Sequence, residues 1–224
     1  MKTRPARPTG PDPRSGHRSP IRRRLQRRRR VDRSEAGVTL VEFSLVLPIF
    51  LVVLMAMVEF GVAFNAVLSV NRASQNAVLL AGQAGNDLNA DCLILDRIER
   101  QLDAPLDKRD IVQVRIMRMN TTGSVVQAYN HYNRSGSTTC DDLTVPYTAS
   151  LTGYPESQRC NVQAGCPTLS PPRSTVDKVA VQIRYRHAWV TPLRFMLSFI
   201  GGDGSDRPNW TFEKTNISRM EPKL

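Results

Sequence analysis

The 224-residue chain lacks the sequence marks of common catalytic and nucleotide-binding sites. It has no G-x-x-x-x-G-K-[ST] phosphate loop, no G-x-G-x-x-G turn, no H-E-x-x-H pair and no G-x-S-x-G nucleophile elbow. It has no C-x-x-C pair either, and its four cysteines are irregularly spaced, which argues against a four-thiolate zinc site. Its three histidines, His17, His131 and His187, fall in three separate contexts. His187 closes an exposed-looking strand face and is expected in solvent. "GGDGSDRP" (201–208) offers too few oxygen ligands at the required spacing for calcium and reads as an acidic turn. We therefore expect no enzyme, no cofactor, no metal and no small-molecule substrate. No internal repeat is present.

Formal charge is missing from Phe43 to Val58, "FSLVLPIFLVVLMAMV", a run of sixteen residues. Sixteen is short for ~30 Å of hydrocarbon, but Val38 to Phe64 gives 27, enough to cross with tilt. That longer stretch includes two acids, Glu42 and Glu59. Pro48 lies inside it and is expected to kink the helix, which membrane helices tolerate. No small-residue cleavage site follows the apolar run, which disfavours simple export and release.

Basic charge is plentiful but confined. Residues 1–37 hold 13 of the 31 Lys and Arg against 3 acids, while the remaining 187 residues hold 18 against 17. With five prolines in its first twenty residues and little apolar content, the leader is expected to be disordered. An Arg-rich arm of this kind can neutralise nucleic-acid phosphates. Placed directly before a span, it also holds that end in the cytoplasm by the positive-inside rule, and we adopt this reading; nucleic acid is not the expected partner.

Beyond the span, Ala66, Val70, Ala73, Ala77 and Leu80 recur in steps of four and three, with Asn65, Ser69, Arg72 and Asn76 as a parallel polar stripe. The pattern predicts an amphipathic helix with a narrow seam, packed on the chain's own domain, on neighbouring helices, or on both. Glycines in "AGQAGND" should end it. "DCLILDRIERQL" reads as a short helix, "IVQVRIMRM" and "SVVQAYNHY" as a hairpin, and "VAVQIRYRHAWV" (179–190) as the clearest strand. In that strand Val179, Val181, Ile183 and Tyr185 face one way. A final strand is expected around "NWTFEKTNISRM". "PLRFMLSFI" (192–200), too short to span, is core or a membrane-surface patch. Residues 133–175 read as a long stapled loop. All four cysteines lie beyond the span, which fits an oxidising compartment. Three pairings are open, and we expect Cys160–Cys166 and Cys92–Cys140.

The fold expected is α+β: a long N-terminal transmembrane and amphipathic helix, then a small extracytoplasmic α+β domain with an antiparallel sheet. Its parts are the leader (1–37), the transmembrane helix (38–64), the helical extension (65–82) and the domain (83–224).

The order basic run, Gly37, four residues, Glu42, apolar span needs a reason, because an acid in lipid requires a partner. A cut between Gly37 and Val38 would create an α-ammonium at Val38, one helical turn from Glu42 or beside it on a neighbouring subunit. The order is similar to the prepilin-peptidase signal, a glycine at the cut and a glutamate at the fifth mature position. The whole of "GVTLVEFSLVLPIFLVVLMAMVEFGVAF" resembles the start of the TadE-like (TadE/TadG) tight-adherence pilus assembly proteins, through Glu42–Phe43, Pro48 and Glu59–Phe60–Gly61. "VQIRYRHAWVTPLRFML" resembles the family's late strand and Thr-Pro-Leu turn, and Arg219, Glu221 and Pro222 its closing Arg-x-Glu-Pro. The resemblance implies a single-pass inner-membrane pseudopilin with its N-terminus cytoplasmic. Gly37 and Val38 would form the cleavage site, and Glu42, Phe43 and Glu59 would act in register and assembly. Prepilin peptidase, pilins and other pilus-assembly proteins would be its partners. The alternative is an uncut, signal-anchored binding or adhesin domain.

Overall fold

A computed structural model describes residues 20–102, 106–192 and 210–223, with side chains from residue 39 onward. The first half of the leader, most of "PLRFMLSFI" and all of "GGDGSDRP" lie outside the described residues. The chain divides into two units, Met1–Val52 and Val53–Leu224.

Helix α1 runs Pro20–Ala84 with Pro48 inside it. The second half of the basic segment, expected without structure, is therefore helical, in keeping with the good helix propensity of arginine. In the first unit, Leu40, Phe43, Leu45 and Ile49 are each more than 60% exposed. Among the described residues one helix, Thr39–Ala84, is long and apolar enough to cross a membrane, and only 6% of its most apolar window is buried. The core helix of a soluble protein would bury that surface.

The second unit is α+β. After α1 come α2 (Ala90–Gln101) and strands β1 (Ile111–Met119), β2 (Val126–Asn133), β3 (Thr138–Cys140), β4 (Leu143–Val145), β5 (Thr148–Thr152), β6 (Lys178–His187) and β7 (Trp210–Arg219). The main sheet has the order β5-β2-β1-β6-β7, and every pairing in it is antiparallel. The expected hairpin is present, turned by Asn120, whose side chain accepts from Ser124 N at 2.7 Å, and by Gly123 at φ 82°. The segment read as one long loop contains β3, β4 and β5. Its Ser/Thr-rich composition concealed strands whose side chains are mostly exposed.

Ala66, Val70, Ala73, Ala77 and Ala81 are fully buried in one cluster with Val179, Val181 and Ile183, while Leu80 is half-buried. Residues of the predicted polar stripe, Asn65, Arg72 and Asn76, are exposed. Alanine brings the helix close enough for polar contacts as well: Ser74 Oγ donates to Val181 O at 2.7 Å in full burial. At the helix end, a Cβ on Gly82 would lie 3.1 Å from Arg219 O, and Glu221 N donates to Gly82 O at 2.9 Å. Gly85 then takes φ 55°, the left-handed conformation that terminates the helix without a Cβ penalty.

The loop before β6 is held by buried charge. Asp91 pairs with fully buried Arg159 and accepts from Tyr132 Oη (2.5 Å) and Asn130 Nδ2 (2.7 Å). Asp177 accepts from Tyr154 Oη (2.8 Å), Cys160 N (3.0 Å) and Arg173 (2.5 Å). Burial pushes the Tyr132 and Tyr154 phenols far above their ordinary range, and the neighbouring Asp91 and Asp177 push them further, so both stay neutral donors. Disulfides Cys92–Cys140 and Cys160–Cys166 complete the staple.

Candidate assembly site on the N-terminal helix

The two acids of the apolar segment have different surroundings. Glu42 is exposed on a helix surface of exposed apolar residues, with Phe43 beside it 63% exposed, and has no partner among the described residues. Gly37 and Val38 stand one turn before it, within the helical backbone of α1.

Glu59 is 6% exposed. Its carboxylate accepts from Thr191 N (2.9 Å), from Val190 N (3.2 Å to each oxygen) and from His187 Nε2 at 3.1 Å. The strand exit therefore supplies two backbone donors and an imidazole to one carboxylate. His187 is 4% exposed, not in solvent as expected. Its position has the same parity as Val179 through Tyr185, so the alternation that identified the strand also places His187 on the buried face. Phe60, Ala63, Trp189 and Trp210 join Glu59 and His187 around a small cavity of about 290 Å³.

The spacing explains how helix and strand lock. Glu59 to Ser74 is fifteen residues, about 22 Å of helix rise. Their strand partners, His187 and Val181, are six residues apart, about 20 Å of strand. The two lengths agree, so both contacts form at once between antiparallel elements. Asn216 Nδ2 donates to Asn71 Oδ1 at 3.3 Å on the next strand. At the far end the closing segment is held through backbone, Met220 N donating to Asp177 O (3.0 Å) and Glu221 N to Gly82 O, while the side chains of Arg219, Glu221 and Pro222 stay exposed.

These contacts join the stretches that carry the resemblance. Glu59, of the second "EFG", meets the strand leading into the Thr-Pro-Leu turn, and the closing segment meets the helix end. A Glu paired in this way serves the internal architecture. Glu42, by contrast, has no partner among the described residues, and the apolar side chains around it are exposed.

No curated protein and no solved structure matches the chain. Residues 37–79, from Gly37 past both acids and along the seam to Ala77, match the family described as TadE-like protein.

Proposed function

We propose that the chain is a minor pseudopilin, a non-enzymatic structural component of a tight-adherence, Flp-type pilus, cut by prepilin peptidase between Gly37 and Val38. The observation that carries this reading is the contrast between the acids: Glu59 is satisfied within the chain, and Glu42 is exposed without a partner among the described residues. An unpaired carboxylate in lipid costs several kcal/mol. Cleavage supplies a cation about 6 Å along the helix axis, the rise of four residues. Pairing between the Val38 ammonium of one subunit and Glu42 of the next would fix the axial register of a helical bundle, with Phe43 and its apolar neighbours covered by adjoining helices.

Gly37 favours the cut locally, since glycine weakens a helix by about 1 kcal/mol and eases opening of the peptide bond to a peptidase. The basic leader holds the N-terminus in the cytoplasm, which places residues 83–224 outside the inner membrane. The domain's bulk fits a minor component, because repeating it at every position would crowd a thin fibre. Glu42→Gln is expected to insert normally and lose co-purification with partner pilins, with stability of the folded domain unchanged. Unchanged co-purification refutes the register role.

One observation favours an uncut, signal-anchored binding domain instead: the backbone is helical through Gly37 and Val38. Under that reading Gly37→Ala leaves the size of the membrane-bound chain unchanged.

A further inference from the structure

The end of the sheet opposite the Glu59 contact carries an open cleft of about 490 Å³. Strand β6 runs from Lys178 at the cleft to His187 at Glu59, so the two sites stand about 30 Å apart. The end of β1, the loop before β6, the start of β6 and the end of β7 bring Arg118, Arg173, Lys178 and Arg219 to its walls. Among the described residues the sole acid lining it is Asp177. That carboxylate is already taken by Tyr154, Cys160 N and Arg173.

Arg118, Lys178 and Arg219 have no side-chain hydrogen bond or ion pair among the described residues. The Nε atoms of Arg118 and Arg173 are both buried without an acceptor. The Arg173 side chain is only 10% exposed. Burial holds the Arg173 guanidinium below its ordinary value, with Asp177 pulling it up and the neighbouring Arg118 pushing it down. Two cations are thus held near each other with donors unused, an arrangement that an added anion relieves. The local excess is not background, because residues 38–224 carry nearly equal numbers of cations and acids. Hydroxyls of Thr121, Ser174 and Thr175 add neutral donors around the same space.

We propose that this cleft is a binding site for an oxyanion ligand of the carboxylate or phosphate type, with Arg118 and Arg173 as its central donors and Lys178 and Arg219 at its rim. Planar guanidinium forks suit either oxyanion.

The test uses the full chain in neutral-detergent micelles, titrated calorimetrically with inorganic phosphate and with alginate as a uronate polymer. Binding of either probe is expected, weakened by salt and weakened at least about tenfold by Arg118→Gln. Arg118→Lys should retain part of the affinity by keeping the charge. Deleting residues 1–33, which removes the competing basic leader, should leave the cleft's affinity unchanged, as should Arg100→Gln on α2. Phosphate that binds and displaces alginate assigns a small oxyanion, and alginate binding that phosphate does not displace assigns an acidic polymer. The proposal fails if neither probe binds. It also fails if Arg118→Gln, folded with an unchanged unfolding midpoint, binds as tightly as the unaltered chain.

Discussion

Replacing Glu59 with alanine should loosen the joint between helix and sheet. The side chain is almost closed to solvent and receives two backbone N–H groups and the His187 ring. Its loss leaves those donors without an acceptor and enlarges an existing cavity of about 290 Å³. Removing one partner from a buried, charge-assisted cluster costs about 3–5 kcal/mol. For a domain of this size that lowers the unfolding midpoint by about 6–20 °C. Glu59→Gln keeps the volume and one acceptor oxygen but turns an NH2 toward a second donor, so its cost should be smaller, about 1.5–3 kcal/mol. The chain's only two tryptophans, Trp189 and Trp210, both line this cavity, so intrinsic fluorescence reads the joint directly. Thermal unfolding of the full chain in micelles, followed by that emission, is the assay. An unchanged midpoint and an unshifted emission maximum in Glu59→Ala would refute the anchoring role.

Three further outcomes are expected. Ala77→Leu, at a fully buried seam position, should cost about 1–3 kcal/mol by overpacking, whereas Gln75→Leu on the exposed side should change little, as measured by denaturant midpoints. Opening Cys92–Cys140, which closes a separation of 48 residues, should destabilise by about 4 kcal/mol, against about 2 kcal/mol for Cys160–Cys166 with a separation of 6, judged from paired Cys→Ala variants. The His131 imidazole is held below its ordinary value by burial and then by Arg115, with Gln113 donating to its Nε2 at 3.0 Å when the amide oxygen accepts from Arg115. A depressed imidazole means the unfolded chain binds the extra proton first. This contribution to stability is therefore complete above about pH 6.5 and is lost as pH falls through the lowered folded value, and His131→Gln should flatten that part of the stability–pH curve.

The long helix and the sheet are legible from the sequence because their periods are clean. A residue step alternating four and three marked Ala66 to Leu80, and alternation marked β6. Polar strands are harder: β5 is exposed at all five positions, so no buried face imposes a period, and its pairing with β2 rests on the backbone ladder and one side-chain bond, Ser150 Oγ to His131 O at 3.2 Å. The partner of Glu59 was hidden for another reason. His187 lies 128 residues away, and its ring reads as solvated when the strand is viewed by charge. Extending the alternation by one more step places it with the core. The Asp91–Arg159 pair leaves no local signal, because buried ion pairs are specified by tertiary position alone. The cationic cleft is likewise assembled from four separate segments.

The claim at the centre of the account is that proteolysis at Gly37 releases the positive charge that exposed Glu42 lacks. Amino-terminal sequencing of the membrane-bound protein, from cells with and without prepilin peptidase, tests it most directly. The account predicts a chain beginning at Val38 when the peptidase is present and the longer form when it is absent. Chains that keep the leader in both cells, while still assembling with their partners, would contradict it.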